Sequence, residues 1–167
     1  MNREVICDLF FEAAIEYKDN IAFHYLDQSV ISKTDQTWKA TTYNELLSNV
    51  KGIASYLIKN ENNPPSPPFS KGARLPSVGQ GKGGLSSKIK KGDKIAIISE
   101  NRPEWCASYL AISLSGGVAV PIDAQLGPHE IKNLLTDSES KLVFHSSKTE
   151  ENVRKAVRDL LTSHFSL

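Results

Sequence analysis

The second half of the chain alternates between two apolar periods, and that alternation limits the folds open to it. Lys94-Ile95-Ala96-Ile97-Ile98-Ser99 is a near-continuous apolar run, the pattern of a strand covered on both faces. Pro103 suits the first turn of a helix, where its missing N–H costs nothing. Trp105 to Leu114 is apolar almost all round, which predicts a buried helix, and Gly116-Gly117 stops it by permitting a left-handed backbone. Val118-Ala119-Val120-Pro121-Ile122 reads as a second strand with proline at its end. Pro128 to Leu135 reads as a short helix presenting Ile131, Leu134 and Leu135, and Lys141-Leu142-Val143-Phe144-His145 as a third strand. Ser147-Lys148-Thr149-Glu150 has the form of a capping box and predicts a last helix with Val153, Ala156, Val157, Leu160 and Leu161 inward. Strand and helix in turn, three times over, imply an α/β fold with a parallel sheet and right-handed crossovers.

The first sixty residues carry a different pattern. Val5, Ile6, Leu9, Phe10, Ala13, Ala14 and Tyr17 fall at spacings of three and four, one face of an amphipathic helix expected to dock on a sheet. Ile21 to Leu26 and Thr37 to Ala40 are short aromatic and β-branched stretches, read as a small antiparallel strand pair. Thr42-Tyr43-Asn44-Glu45 is a capping box, in which hydroxyl and carboxylate each satisfy a free backbone N–H. Leu46, Leu47, Val50, Ile53, Ala54, Leu57 and Ile58 follow on one face, so a helix is expected from about residue 43 to 59.

Between these halves the pattern stops. Five of the eight prolines fall between 64 and 76, and five of the ten glycines between 72 and 84. Such a composition cannot bury enough surface to offset the entropy of ordering it, so 61–87 is expected to be a disordered, basic Pro/Gly-rich insertion. It divides one domain into 1–60 and 88–167, since 167 residues suffice for a single core and not for two well-developed ones. The wider stretch 61–91 holds six basic residues (Lys71, Arg74, Lys82, Lys88, Lys90, Lys91) against one acid, Glu61, but a single aromatic, Phe69, gives no stacking series for nucleic acid. An anionic-surface anchor is the weaker alternative to a solvated loop. Over the whole chain the net charge of +1 names no partner and excludes a basic nucleic-acid binder.

Candidate chemistry is sparse. Cys7 and Cys106, 99 positions apart, exclude a disulfide scaffold and a zinc finger. No apolar run approaches the ~20 residues of a transmembrane segment, and a cytoplasmic setting is expected, with peripheral membrane association left open. Gly79-Gln80-Gly81-Lys82-Gly83-Gly84 satisfies G-x-G-x-x-G, but neither a strand before it nor a helix after it is there to hold a pyrophosphate. His24, His129, His145 and His164 are scattered, without metal-ligand spacing, and His129-Glu130 reads as a polar helix start. Cys106 reads as an inert buried thiol beside Trp105 and Tyr109. Ser115-Gly116-Gly117 lacks the form of a nucleophile elbow. No catalytic, cofactor-binding or metal-binding residue is assigned.

One stretch says more. Lys91-Gly92-Asp93-Lys94 through Asn101-Arg102-Pro103-Glu104-Trp105, continuing to Gly117-Val118-Ala119-Val120-Pro121-Ile122, resembles the AMP-forming acyl-CoA synthetases of the adenylate-forming superfamily, nearest the long-chain fatty-acid:CoA ligases. The Thr41-Thr42-Tyr43-Asn44-Glu45-Leu46 helix opening and the strand pair before it match the way those enzymes begin. The resemblance implies the N-terminal part of the family's large domain. It also implies a two-step ligation in which ATP and a fatty acid give an acyl-adenylate and pyrophosphate, and CoA then displaces AMP. ATP, Mg²⁺ and CoA belong to the full-length family and none is expected to be held by this chain alone. The family's phosphate loop, adenine and Mg²⁺ motif, ribose Asp and catalytic Lys lie downstream of the matched region, so none transfers to a position here. Two expectations follow: an interrupted N-terminal fragment of a ligase, inactive alone, or a binding module that completes a split ligase with a separately encoded remainder. An exposed sheet edge, open to self-association, goes with either.

Overall fold

The computed structural model describes residues 6–26, 38–58 and 89–163. The expected insertion at 61–87 and the Gly79–Gly84 run lie outside them, as do Val5 and His164. The described elements are α1 (Ile6–Glu16), β1 (Ile21–Leu26), β2 (Trp38–Thr42), α2 (Tyr43–Ile58), β3 (Lys94–Ile98), α3 (Pro103–Leu114), β4 (Val118–Ile122), α4 (Pro128–Asp137), β5 (Leu142–His145) and α5 (Glu150–Ser163).

β3, β4 and β5 form a parallel sheet in the order β4-β3-β5, with Ile95 facing Ala119 on one side and Leu142 on the other. Strand alternation divides the core in two. Ile95 and Ile97 meet Leu46, Val50, Ile53, Ala54 and Leu57 of α2 and Ala107, Leu110, Ala111 and Ile112 of α3. Ala96 and Ile98 meet Ile131 and Leu135 of α4 and Val153 and Ala156 of α5 on the other face. β3 is therefore covered on both faces, as its apolar run requires. The chain steps one way from β3 to β4 and the other way from β4 to β5. Its crossover helices lie on opposite faces, as two crossovers of one hand demand.

Local signals act as their chemistry dictates. The Thr42 capping box closes: the Thr42 N–H donates to Glu45 Oε2 at 2.9 Å, and the Glu45 N–H to Thr42 Oγ1 at 3.3 Å. β1 and β2 pair antiparallel, with Leu26 opposite Trp38. At the end of α3, Gly116 takes φ +80°, while Gly117 is needed for space: a Cβ there would lie 3.1 Å from Ile112 and 3.2 Å from Ile95. The Ile89 N–H donates to the Leu57 carbonyl at 3.2 Å, so the chain re-enters the structure beside the last turn of α2.

Three local expectations are corrected. α1 packs on α2 and α3 and not on a sheet, because those two helices already cover that face of β3; the small Cys7 and Ala14 are the residues it buries, leaving Ile6, Leu9 and Tyr17 exposed. α5 begins at Glu150, so Ser147 lies outside its cap; the preceding Thr149 is turned inward, its hydroxyl donating to the Ile98 carbonyl at 2.9 Å. Leu134 and Leu161, expected inward, are exposed at the borders of their helical stripes.

Candidate functional site

In an open parallel sheet, ligands bind beyond the carboxyl ends of the strands. There the segments that follow β3 and β4 border a cleft of about 430 Å³ lined by Ser99, Glu100, Asn101, Trp105, Asp123 and Gln125, with Pro121, Ile122 and Ala124 as its apolar part. Sequence places each wall. Pro103 starts α3 directly after Ser99–Arg102, so Trp105 sits in the first turn and stacks on Tyr109 one turn later, with ring centroids 5.6 Å apart. Asp123 Oδ1 accepts the Gln125 N–H at 2.9 Å, folding the loop after β4. At the start of α4 the Gly127 N–H donates to Glu130 Oε2 at 2.7 Å, the polar helix start expected of Glu130.

The neighbouring crevice, between the ends of β3 and β5, is closed by side chains. The Ser146 hydroxyl donates to Glu100 Oε2 at 2.6 Å, across 46 positions of sequence, and the Thr149 hydroxyl holds the last carbonyl of β3. Burial pushes the Glu100 carboxyl up, but the Ser146 hydroxyl, a backbone N–H, Lys148 and Arg102 together outweigh it and hold the group below its ordinary range. Arg102 is committed: its Nε and Nη2 bond the two oxygens of Glu104 at 2.7 and 2.9 Å, with Glu100 3.7 Å away. The cleft thus presents carboxylates beside an engaged guanidinium. Among the described residues no group of three metal-ligating side chains is present. The carboxylates of Glu100 and Asp123 at the cleft do not suit a bare polyphosphate.

The other residues singled out in the sequence are dispersed. His129 is exposed, with Nδ1 3.5 Å from Asn133 Nδ2. His145 is buried in β5, where Nδ1–H donates to the Ser146 carbonyl at 2.9 Å and Nε2 has no partner. His24 lies on the β1–β2 pair. Burial raises the Cys106 thiol, and at Cys7 burial and then Asp8 do the same, which leaves neither poised as a thiolate. The Ser115 hydroxyl donates to the Ile112 carbonyl at 2.7 Å, a helix end and not an elbow. The structure brings together what the sequence did not signal, Glu100 with Ser146 and Thr149. A lone acid and two hydroxyl residues so far apart carry no spacing by which they could be found.

Comparison with known proteins gives this arrangement a class. Residues 83–165 match the family of AMP-binding enzymes. The chain is 43% identical over 51 residues to 4-hydroxybutyrate–CoA ligase 2 of Metallosphaera sedula, covering 30% of this chain and 9% of that protein. It is 37% identical over 59 residues to the long-chain-fatty-acid–CoA ligase FadD13 of Mycobacterium tuberculosis, covering 35% of this chain and 12% of that protein. The match thus spans about a tenth of the length of these relatives. In fold, the chain is similar to the crystal structure of the N-terminal domain of FACL13 from Mycobacterium tuberculosis, with a TM-score of 0.62 at 22% identity, over 91% of this chain and 30% of that one. The fold is also similar to that of a benzoate CoA ligase from Burkholderia xenovorans LB400, with a TM-score of 0.62 at 18% identity, over 91% of this chain and 23% of that one. More narrowly, the chain resembles the N-terminal region of the AMP-forming acyl-CoA synthetases.

Proposed function

We propose that this chain is the N-terminal part of an AMP-dependent long-chain fatty-acid:CoA ligase and that the 167-residue polypeptide does not carry out the ligation alone. The match of residues 83–165 to AMP-binding enzymes carries the reading, and the 37% identity to a long-chain ligase supports the acyl class. ATP, Mg²⁺, CoA and a fatty acid are then reactants of the complete enzyme. Charge stabilisation in adenylation needs clamps on the transferring phosphate. The motifs that supply them in the family lie beyond the matched region, and the carboxylate-lined cleft offers no substitute. Residues 61–87 are an insertion into this domain, at a helix-to-strand junction whose two sides are already joined by the Ile89–Leu57 bond. The cytoplasm is the proposed location, and no described helix is long and apolar enough to cross a membrane.

ATP–pyrophosphate exchange on the purified chain with palmitate tests the reading. Exchange at background is expected, and robust, fatty-acid-dependent turnover overturns it.

A further inference from the structure

We propose that the cleft beyond β3 and β4 is a binding site for a small organic cation, an amine or amidine carried on an apolar body. Such a ligand is none of the organic reactants of the ligation proposed above, all of which carry carboxylate or phosphate groups, so its binding goes beyond that reading. The charged residues that line the cleft are Glu100 and Asp123, and no lining residue is a cation. Beside them stand an apolar wall that includes Trp105, Pro121 and Ile122, and the exposed amides of Asn101 and Gln125. An anion entering this cleft meets two carboxylates, whereas a cation meets complementary charge.

The two carboxylates are held differently. Burial opposes the charge on Glu100, but the Ser146 hydroxyl, a backbone N–H, Lys148 and Arg102 together outweigh it. One Glu100 oxygen is spent on Ser146, at 2.6 Å, and the other lies 3.7 Å from Arg102. Asp123 is less committed. Its Oδ1 accepts the Gln125 N–H at 2.9 Å, which fixes the carboxylate just past the end of β4, and its Oδ2 meets no donor or cation among the described residues. Arg102 does not serve it, since the two Glu104 oxygens already hold the guanidinium at 2.7 and 2.9 Å.

Size and lining decide which kind of cation fits. A divalent metal ion takes about six ligands at bonding distance, and the described residues hold no group of three ligating side chains. About 430 Å³ is instead the room of a small organic molecule. Trp105 sits in the first turn of α3 and stacks on Tyr109, with ring centroids 5.6 Å apart, so the indole at the cleft wall is held in place. An organic cation is drawn to such a ring as well as to the carboxylates, and its uncharged body gains the apolar surface of Pro121 and Ile122.

Benzamidine is the probe, with benzamide and benzoate as neutral and anionic compounds of similar shape. In NMR titrations of the 167-residue chain, benzamidine should shift the backbone amides of Glu100, Asn101, Asp123 and Gln125 to saturation. Benzamide and benzoate should bind there at least about tenfold more weakly. Asp123→Asn keeps an acceptor for the Gln125 N–H and should weaken benzamidine by about fivefold, the loss of one partly exposed charge pair. Gln125→Lys, at an exposed position, puts a cation on the wall itself and should weaken benzamidine by a similar factor, which keeps the test open if the first variant fails to fold. Equal binding of the three compounds overturns the proposal, as does an affinity that neither variant changes. Benzamidine shifts confined to other surfaces, such as the exposed Trp38, overturn it as well. Cleft amides that respond to Mg²⁺ and not to benzamidine mark a metal site and also overturn it.

Discussion

Single residues show where backbone and charge are under most constraint. Glu139 is the one described non-glycine residue with positive φ, at 53°, just past the end of α4; Gly116 holds the equivalent place after α3 at φ +80°. Glycine reaches that region without the Cβ penalty that other residues meet. Glu139→Gly should therefore stabilise the fold by about 0.5–1 kcal/mol, and Gly116→Ala should destabilise it by about 1 kcal/mol or more. Lys94, 3.5 Å from Glu139, loses only an exposed ion pair in the first variant. Urea midpoints compare the two, and equal shifts would contradict the backbone argument. Glu100 makes the pH prediction. Its folded-state pKa lies below the ordinary 4.5, so its contribution is present above that value and is lost as pH falls through the folded pKa. Glu100→Gln should be less stable than the parent near pH 7, and the gap should narrow below about pH 4. A gap of constant size across that range would show that the carboxylate's charge plays no part.

At the scale of elements, each helix is held by a narrower stripe than its apolar residues suggest. Val153 is fully buried between α5 and β3, whereas Leu161, two turns later, is at the stripe's border. Val153→Ala should cost about 1–3 kcal/mol through the cavity it leaves, and Leu161→Ala less than about 0.5 kcal/mol; thermal unfolding of the two variants checks the contrast. This contrast also marks what could be read before the fold was seen. Every described strand and helix announced itself, since β3 and β5 carry continuous apolar runs, α2 a capping box and α3 a proline start. What lay hidden were choices made between elements. Periodicity gave α1 an apolar face but could not tell that α2 and α3, not a sheet, would receive it. The Ser147 box was legible as a motif, yet the bond from Thr149 to Ile98 set the start of α5 instead. The cleft was legible only as a consequence of parallel topology. Its polar closure depends on Glu100 meeting Ser146, a pairing that exists only once β3 and β5 are neighbours.

For the whole molecule, the central strand is the keystone, and the proposed insertion at 61–87 is expected to add nothing to its packing. β3 takes its neighbours from α2 and α3 on one face and from α4 and α5 on the other, and the chain reaches it through Ile89, bonded to Leu57 at the last turn of α2. Those two anchors already bring the ends of the connection together, so a few residues suffice to span it. Closing a loop costs about 0.6 kcal/mol for each doubling of its length. Deleting residues 61–87 should therefore leave the fold intact and stabilise it by about 1–2 kcal/mol, visible as a higher midpoint in urea. The same deletion separates the solvated-loop reading from the anionic-anchor one. Binding to vesicles of anionic lipid should be equally weak with and without the segment, and salt-sensitive binding by the parent that vanishes on deletion would assign its basic residues a surface to hold. If instead the shortened chain loses its helical signal or unfolds at lower urea, residues 61–87 are part of what orders β3, and the division of the domain at that junction is wrong.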